Sequence, residues 1–122
     1  MIGYTTVGTN DLPRAIAFYD ALFAEVGISQ LIKYQRGVAW GTNFHMPSFA
    51  VMTPFDGKPA SVGNGMMIGM SLKNVDQVNA IHAKALALGG VDEGAPGPRG
   101  DNFYGAYFRD LDGNKLAAFF VS

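Results

Sequence analysis

Few side chains in this chain are equipped for chemistry: His45, His82, the pair Asp110 and Asp112, and the serines Ser48, Ser61 and Ser71. There is no cysteine, which excludes a disulfide framework, thiolate zinc sites and thiol catalysis. The spacing Asp110-Leu111-Asp112-Gly113-Asn114 superficially suggests a calcium loop, but an EF-hand needs glycine at its sixth position and glutamate at its twelfth, where this chain has Val121. These residues are instead expected to form a turn, with Asp110 and Asp112 in structural or solvated roles and Asp101 in a loop. None of the serines lies in a nucleophile elbow and no histidine is placed to activate them, so hydrolase chemistry is unsupported. Gly63-Asn64-Gly65 precedes a strand-like run, whereas a phosphate-cradling loop follows one and opens a helix; it reads as a linker. His82 shares an apolar helical stripe with Val75, Val78 and Leu86 and is expected to be a packed, hydrogen-bonded helix residue. His45, between Thr42 and Pro47, is expected at a solvated hairpin tip.

The elements that position these groups follow from periodicity. Ile2–Gly8 is a short β-prone run. Asp11 can cap a helix in which Leu12, Ala15, Ile16, Tyr19, Leu22, Phe23 and Val26 recur at helical spacing, with Pro13 in the first turn and Gly27 as the stop. Gln30–Tyr34, Gly37–Thr42 and Ser48–Thr53 read as strands. Phe55–Gly65 is polar and Gly-rich and separates the halves. The pattern then restarts with a strand at Met67–Leu72 and a second helix through Val75, Val78, His82, Ala85 and Leu86, ending at Gly89-Gly90. Glu93–Asn102 is Gly/Pro-rich and is expected to be a loop. The chain closes in a hairpin in which Arg109 faces Lys115 and Tyr107 faces Ala117, so that Tyr107, Lys115, Ala117 and Phe119 share one face.

Adding 63 to the numbering of the first half superposes it on the second, with Tyr4 on Met67, Tyr19 on His82 and Gly27 on Gly90. The expected architecture is α+β: two βαβββ modules, 1–54 and 66–122, joined by a linker at 55–65 into a single domain. Short strands around each helix cannot bury both faces alone, so the modules should form a curved mixed sheet with helices on its convex side and a concave cup opposite. At 122 residues, 48% of them apolar, the chain is long enough for a real core. A net charge of −1 with scattered Lys and Arg leaves no electrostatic footprint for nucleic acid or anionic membrane. No apolar run approaches the roughly 20 residues that span a bilayer, and a cytoplasmic location is expected.

The opening NDLPRAIAFYDALFAEVG, the duplicated pattern and the ending FRDLDGNKLAAFF together resemble the vicinal oxygen chelate superfamily of glyoxalase I, bleomycin-resistance proteins and extradiol dioxygenases. The resemblance covers nearly the whole chain and implies the fold; function is a separate matter, since one fold hosts many chemistries. Metal-dependent members of that family place His or Glu at four cup-facing positions. Carried over, those positions fall on Tyr4, Ala50, Met67 and Ala117. Two methyl groups, one thioether and one neutral phenol will not hold a divalent cation, so no metal and no other cofactor is expected.

What is left is a lining. Strand parity puts Tyr4, Thr6, Met67, Gly69, Ser71, Tyr107 and Phe119 in the cup, with Trp40 joining them and Arg99 at the mouth. Aromatics around a polarisable methionine suit a small, apolar or planar molecule. The leading expectation is a metal-free binding protein resembling the bleomycin-resistance branch. Two others stay open: a glyoxalase-like lyase or other enzyme using Tyr4, Tyr107 or a loop carboxylate as acid or base, and a structural or regulatory dimer whose cup is filled by its own side chains. The resemblance also implies a homodimer, which would cover exposed sheet edges.

Overall fold

Asp11 and Asn74 open the two helices in the same way. In the computed structural model, which describes residues 1–122, the Asp11 carboxylate accepts the Arg14 N–H at the start of α1 (Leu12–Ala24). The Asn74 carbonyl does the same for Gln77 at the start of α2 (Val75–Ala87). Each bond satisfies an amide that the first helical turn leaves without a partner. Four buried positions match at the offset of 63, Ala15, Phe18, Tyr19 and Leu22 on α1 and Val78, Ile81, His82 and Ala85 on α2, whereas Phe23 is buried and its counterpart Leu86 is exposed. The correspondence slips after the helices, where the left-handed glycines are Gly27 and Gly89. Gly90 is needed for another reason: a Cβ there would lie 2.8 Å from the carbonyl oxygens of both Ala85 and Arg109.

The expected α+β architecture of two modules is present, built as two four-stranded sheets. The first contains β1 (Tyr4–Gly8), β2 (Ser29–Lys33), β3 (Gly37–Gly41) and β4 (Ser48–Met52) in the order β1-β4-β3-β2. The second contains β5 (Ile68–Ser71), β6 (Val91–Pro98), β7 (Phe103–Arg109) and β8 (Lys115–Val121) in the order β5-β8-β7-β6. Pairs β1·β4 and β5·β8 are parallel and the rest antiparallel. The expected continuous curved sheet is therefore divided, with hydrogen-bond ladders that end at β1 and β5.

The segment expected as a loop, Glu93–Asn102, is largely strand β6. It pairs with β7 through two register shifts, one between Asp92 and Gly94 and one between Gly94 and Gly97. An edge strand tolerates Pro96 and Pro98 because the missing N–H groups need not join a ladder. Composition alone therefore hid a strand.

The closing hairpin has the expected register, with Arg109 opposite Lys115 and Tyr107 opposite Ala117. Its turn does far more than reverse the chain. Oδ1 of Asp110 accepts the N–H groups of Asp112 and Asn114, while Oδ2 accepts the Asn114 amide and, at 2.5 Å, the Tyr19 hydroxyl of α1. The Asn114 amide also donates to the carbonyl of Gly8, and the Asp112 carboxylate receives the Asn10 N–H and pairs with Arg14. The turn of module two is thus bolted to the end of β1 and the start of α1. Burial pushes the Tyr19 hydroxyl well above its ordinary pKa, and the negative charge of Asp110 raises it further.

One apolar core runs through both modules. Around Tyr19 it is aromatic, with Phe49 and Trp40 ring centroids at 4.8 and 5.6 Å.

Candidate functional site

Register decides which residues face away from the helices. Phe49, Val51, Phe108, Leu116 and Ala118 belong to the core, so their strand neighbours face the opposite way. Tyr4 and Thr6 on β1, Ala39 on β3 and Ala50 on β4 therefore share the cup face of module one. In module two the same face carries Gly69, Ser71, Gly105, Tyr107, Ala117 and Phe119. Eight of the nine pocket residues expected from sequence, Tyr4, Thr6, Ala50, Met67, Arg99, Tyr107, Ala117 and Phe119, lie on or beside this face.

Trp40 does not. It pairs with Phe49 on the helix side, is 1% exposed, and donates its indole N–H to Asp20 of α1 at 2.8 Å. Alternation sets Trp40 on the same face of β3 as Val38 but does not say which face that is, and the core claims both. The buried indole N–H finds its partner in Asp20, an exposed carboxylate of α1 that also accepts two bonds from Gln30.

The cup is open. Tyr4 is 73% exposed and Met67 47% exposed. Thr6 and Met67 come together with Arg109 and Lys115 in a depression of about 130 Å³ at the seam between β1 and β5, bounded by Ser61–Gly63 and Met66. A larger cavity of about 800 Å³ opens along the same seam toward the helices, lined by Phe23, Val26, Phe49, Met70 and Ile81 and touching Trp40.

The second-module wall is the most elaborated part of the face. The Arg99 guanidinium lies 5.6 Å from the centroid of the Tyr107 ring and the Lys115 ammonium 6.0 Å from it, both within cation–π range. Phe103 stacks on Phe119 with centroids 5.2 Å apart and planes within 9° of parallel. Arg109 is ion-paired with Glu93. Sequence reasoning missed Phe103 and underused Lys115, although both follow from the parity that placed Tyr107.

Neither histidine enters the cup. His82 is buried on α2, with Nε2 3.0 Å from Asp92 Oδ1, and His45 is exposed in the β3–β4 connection. The Asp92 carboxyl is held below its usual range, first by the N–H of Gly94 and then by His82.

A divalent metal is what the fold implies for the cup, and the donor set does not fit one. The four positions offer a phenol, a thioether and two methyl groups, and no three His, Cys, Asp or Glu side chains converge elsewhere in the chain.

A family model described as the Glyoxalase/Bleomycin resistance protein/Dioxygenase superfamily matches residues 1–118. The chain belongs to this superfamily. Among solved structures, a glyoxalase/bleomycin resistance protein from Albidiferax ferrireducens T118 is 36% identical, with a TM-score of 0.92 and 100% of this chain and 99% of that one covered. A superfamily enzyme from Burkholderia phytofirmans PsJN is 16% identical with a TM-score of 0.75, covering 98% of each chain. A lactoylglutathione lyase from Agrobacterium tumefaciens is 20% identical with a TM-score of 0.70, covering 98% of this chain and 92% of that one. The last two establish the glyoxalase/bleomycin resistance fold alone. No curated protein matches the chain.

Proposed function

We propose that this superfamily member binds a small apolar or aromatic molecule in its cup without using a metal. The observation that carries this reading is the substitution pattern of one face: where a metal-dependent relative would converge ligands, this chain has Tyr4, Ala50, Met67 and Ala117, and beside them Tyr107, Phe103 and Phe119 offer ring surface. Such a face has area for dispersion and stacking but no Lewis acid. The protein and a chelator-treated sample should show the same thermal shift with an aromatic ligand panel. At ligand concentrations 100-fold above Kd the stabilisation is about 2.7 kcal/mol, a shift of several degrees. Tyr107→Ala should weaken binding of the hit by about 1–3 kcal/mol through lost ring contact. A ligand whose shift disappears with the chelator, or whose affinity ignores Tyr107, would refute the proposal.

We also propose a homodimer. β1, β2, β5 and β6 end their ladders at open edges, and Tyr4, Phe44, Met46 and Met67 are large apolar residues left exposed near the cup and the β3–β4 connection. Exposed apolar clusters and free edges are what symmetric pairing covers. Multi-angle light scattering at micromolar concentration should give twice the 13.0 kDa chain mass; a monomer mass would overturn this.

A further inference from the structure

We infer that the second-module wall of the cup selects planar aromatic anions, with the ring against Tyr107 and Phe119 and the carboxylate, or an equivalent anion, held by Arg99 and Lys115. This rests on the cup being a ligand site and adds the charge class of the ligand. The first argument is the glycines. Gly69, Gly94, Gly97 and Gly105 lie on strands with no positive φ, so backbone freedom does not explain them. Glycine inside a strand lowers stability and has no side chain to pack, so its presence marks a bulge, as at the register shifts around Gly94 and Gly97, or a place where something must come close.

Each of the four has its space taken by a group on the wall. A Cβ at Gly69 would sit 3.2 Å from the Phe119 ring, at Gly94 2.9 Å from the Tyr107 ring, at Gly97 3.1 Å from the Arg99 guanidinium and at Gly105 2.8 Å from the Phe103 ring. Two of these rings, Phe103 and Phe119, stack in parallel on each other. Glycines thus form the shelf on which three aromatic rings and one guanidinium rest. Packing of this kind fixes ring orientation, which an incidental surface cluster does not require.

The second argument is charge. Three cationic side chains, Arg99, Arg109 and Lys115, surround this wall. Arg109 is neutralised by Glu93, while neither Arg99 nor Lys115 has a carboxylate within ion-pair distance. Arg99 is instead oriented by neutral acceptors, donating to the carbonyls of Ala95 at 2.7 Å and Pro98 at 3.4 Å. Two unpaired cations against one phenol ring leave a surplus positive charge beside an aromatic platform, and a guanidinium retains N–H donors for a planar carboxylate. A cationic or neutral ring would meet the platform but lose this term.

Protein-observed NMR titrations with 1-naphthoate, neutral 1-naphthamide and 1-naphthylmethylammonium test the charge class, up to millimolar concentrations at low salt. Naphthoate should bind about five- to tenfold more tightly than the amide, the ammonium more weakly than both, and the preference should shrink in 0.5 M salt. In Arg99→Gln/Lys115→Gln the anion and amide should bind alike, whereas Lys33→Gln, an exposed cation on β2, should leave the preference intact. Equal binding of anion and amide to the unmodified protein overturns the charge assignment while leaving the ligand site standing. A preference that survives the double variant, or that Lys33→Gln removes equally, overturns it too. No shift of cup resonances with any of the three compounds would sink the ligand site and this inference together.

Discussion

Asp110→Ala is expected to cost about 3–4 kcal/mol, a large part of the 5–15 kcal/mol by which domains of this size are stable. The carboxylate accepts four hydrogen bonds in a buried position, and its loss leaves the Tyr19 hydroxyl without an acceptor inside the core. Tyr19→Phe keeps the ring and removes the hydroxyl, so a smaller loss of about 1.5–3 kcal/mol is expected from one bond to a charged group. The Tyr19 bond carries a pH dependence. Tyr19 has its folded pKa raised, chiefly by burial and then by Asp110. Its contribution is fully present below the unfolded value near 10 and is lost as pH rises through the higher folded value. Urea unfolding at pH 7 and at pH 10.5 should therefore show the gap between the unmodified protein and Tyr19→Phe narrowing at the higher pH. The other tyrosines and the lysines are common to both proteins and cancel in the difference. A gap that is constant or widens would mean that the hydroxyl is not held as described.

Trp40→Ala should be as damaging, at about 3–5 kcal/mol, because it empties a fully buried indole site between α1 and the first sheet. It also deprives Asp20 of the indole N–H it accepts at 2.8 Å. Trp40→Phe, which fills most of the space, should recover more than half of the loss. The single tryptophan should fluoresce as a buried residue and be poorly quenched by acrylamide. A ligand resting on Tyr107 should leave its emission unchanged, whereas an occupant of the seam cavity that touches Trp40 should alter it. Easy quenching or a mild Trp40→Ala phenotype would place the indole in the cup after all.

The contrast between Trp40 and Tyr107 shows what a sequence can and cannot say about a face. Tyr107 was placed because its strand leads into a turn of defined length, which fixes the register against Ala117 and Lys115. Around Trp40 alternation was equally clear, but no local feature says which side of a strand meets a helix. That was decided by Tyr19, Phe23 and Asp20 on α1. Helix faces were legible in part: Ala15, Tyr19, Leu22, Phe23, Val78, His82 and Ala85 lie on the buried faces and Asp11 marks the first start, whereas Val75 and Leu86 are exposed and the buried Phe18 and Ile81 fall outside the stripes read from the sequence. The strand from Val91 to Pro98 was hidden because edge position, a tertiary fact, is what permits its prolines and glycines. The bond from Tyr19 to Asp110 spans 91 residues, which no local pattern could supply, though a hydroxyl in an apolar stripe is a sign that a partner is owed.

The place of β8 in the second sheet governs the order in which the chain can assemble. It follows β5, β6 and β7 in the sequence, yet it lies between β5 and β7 and carries the ladders of both. Until residues 115–121 have left the ribosome, β5 has no hydrogen-bonding partner. The Asp110 turn that anchors β1 and α1 closes loops of 91 to 106 residues, and closing such loops is slow. Before β8 emerges, a nascent chain therefore exposes an unpaired β5 and an incomplete second sheet, although α1 and all four strands of the first sheet are already made. That interval, more than any weakness of the finished fold, is when the protein is most open to aggregation and to chaperone capture.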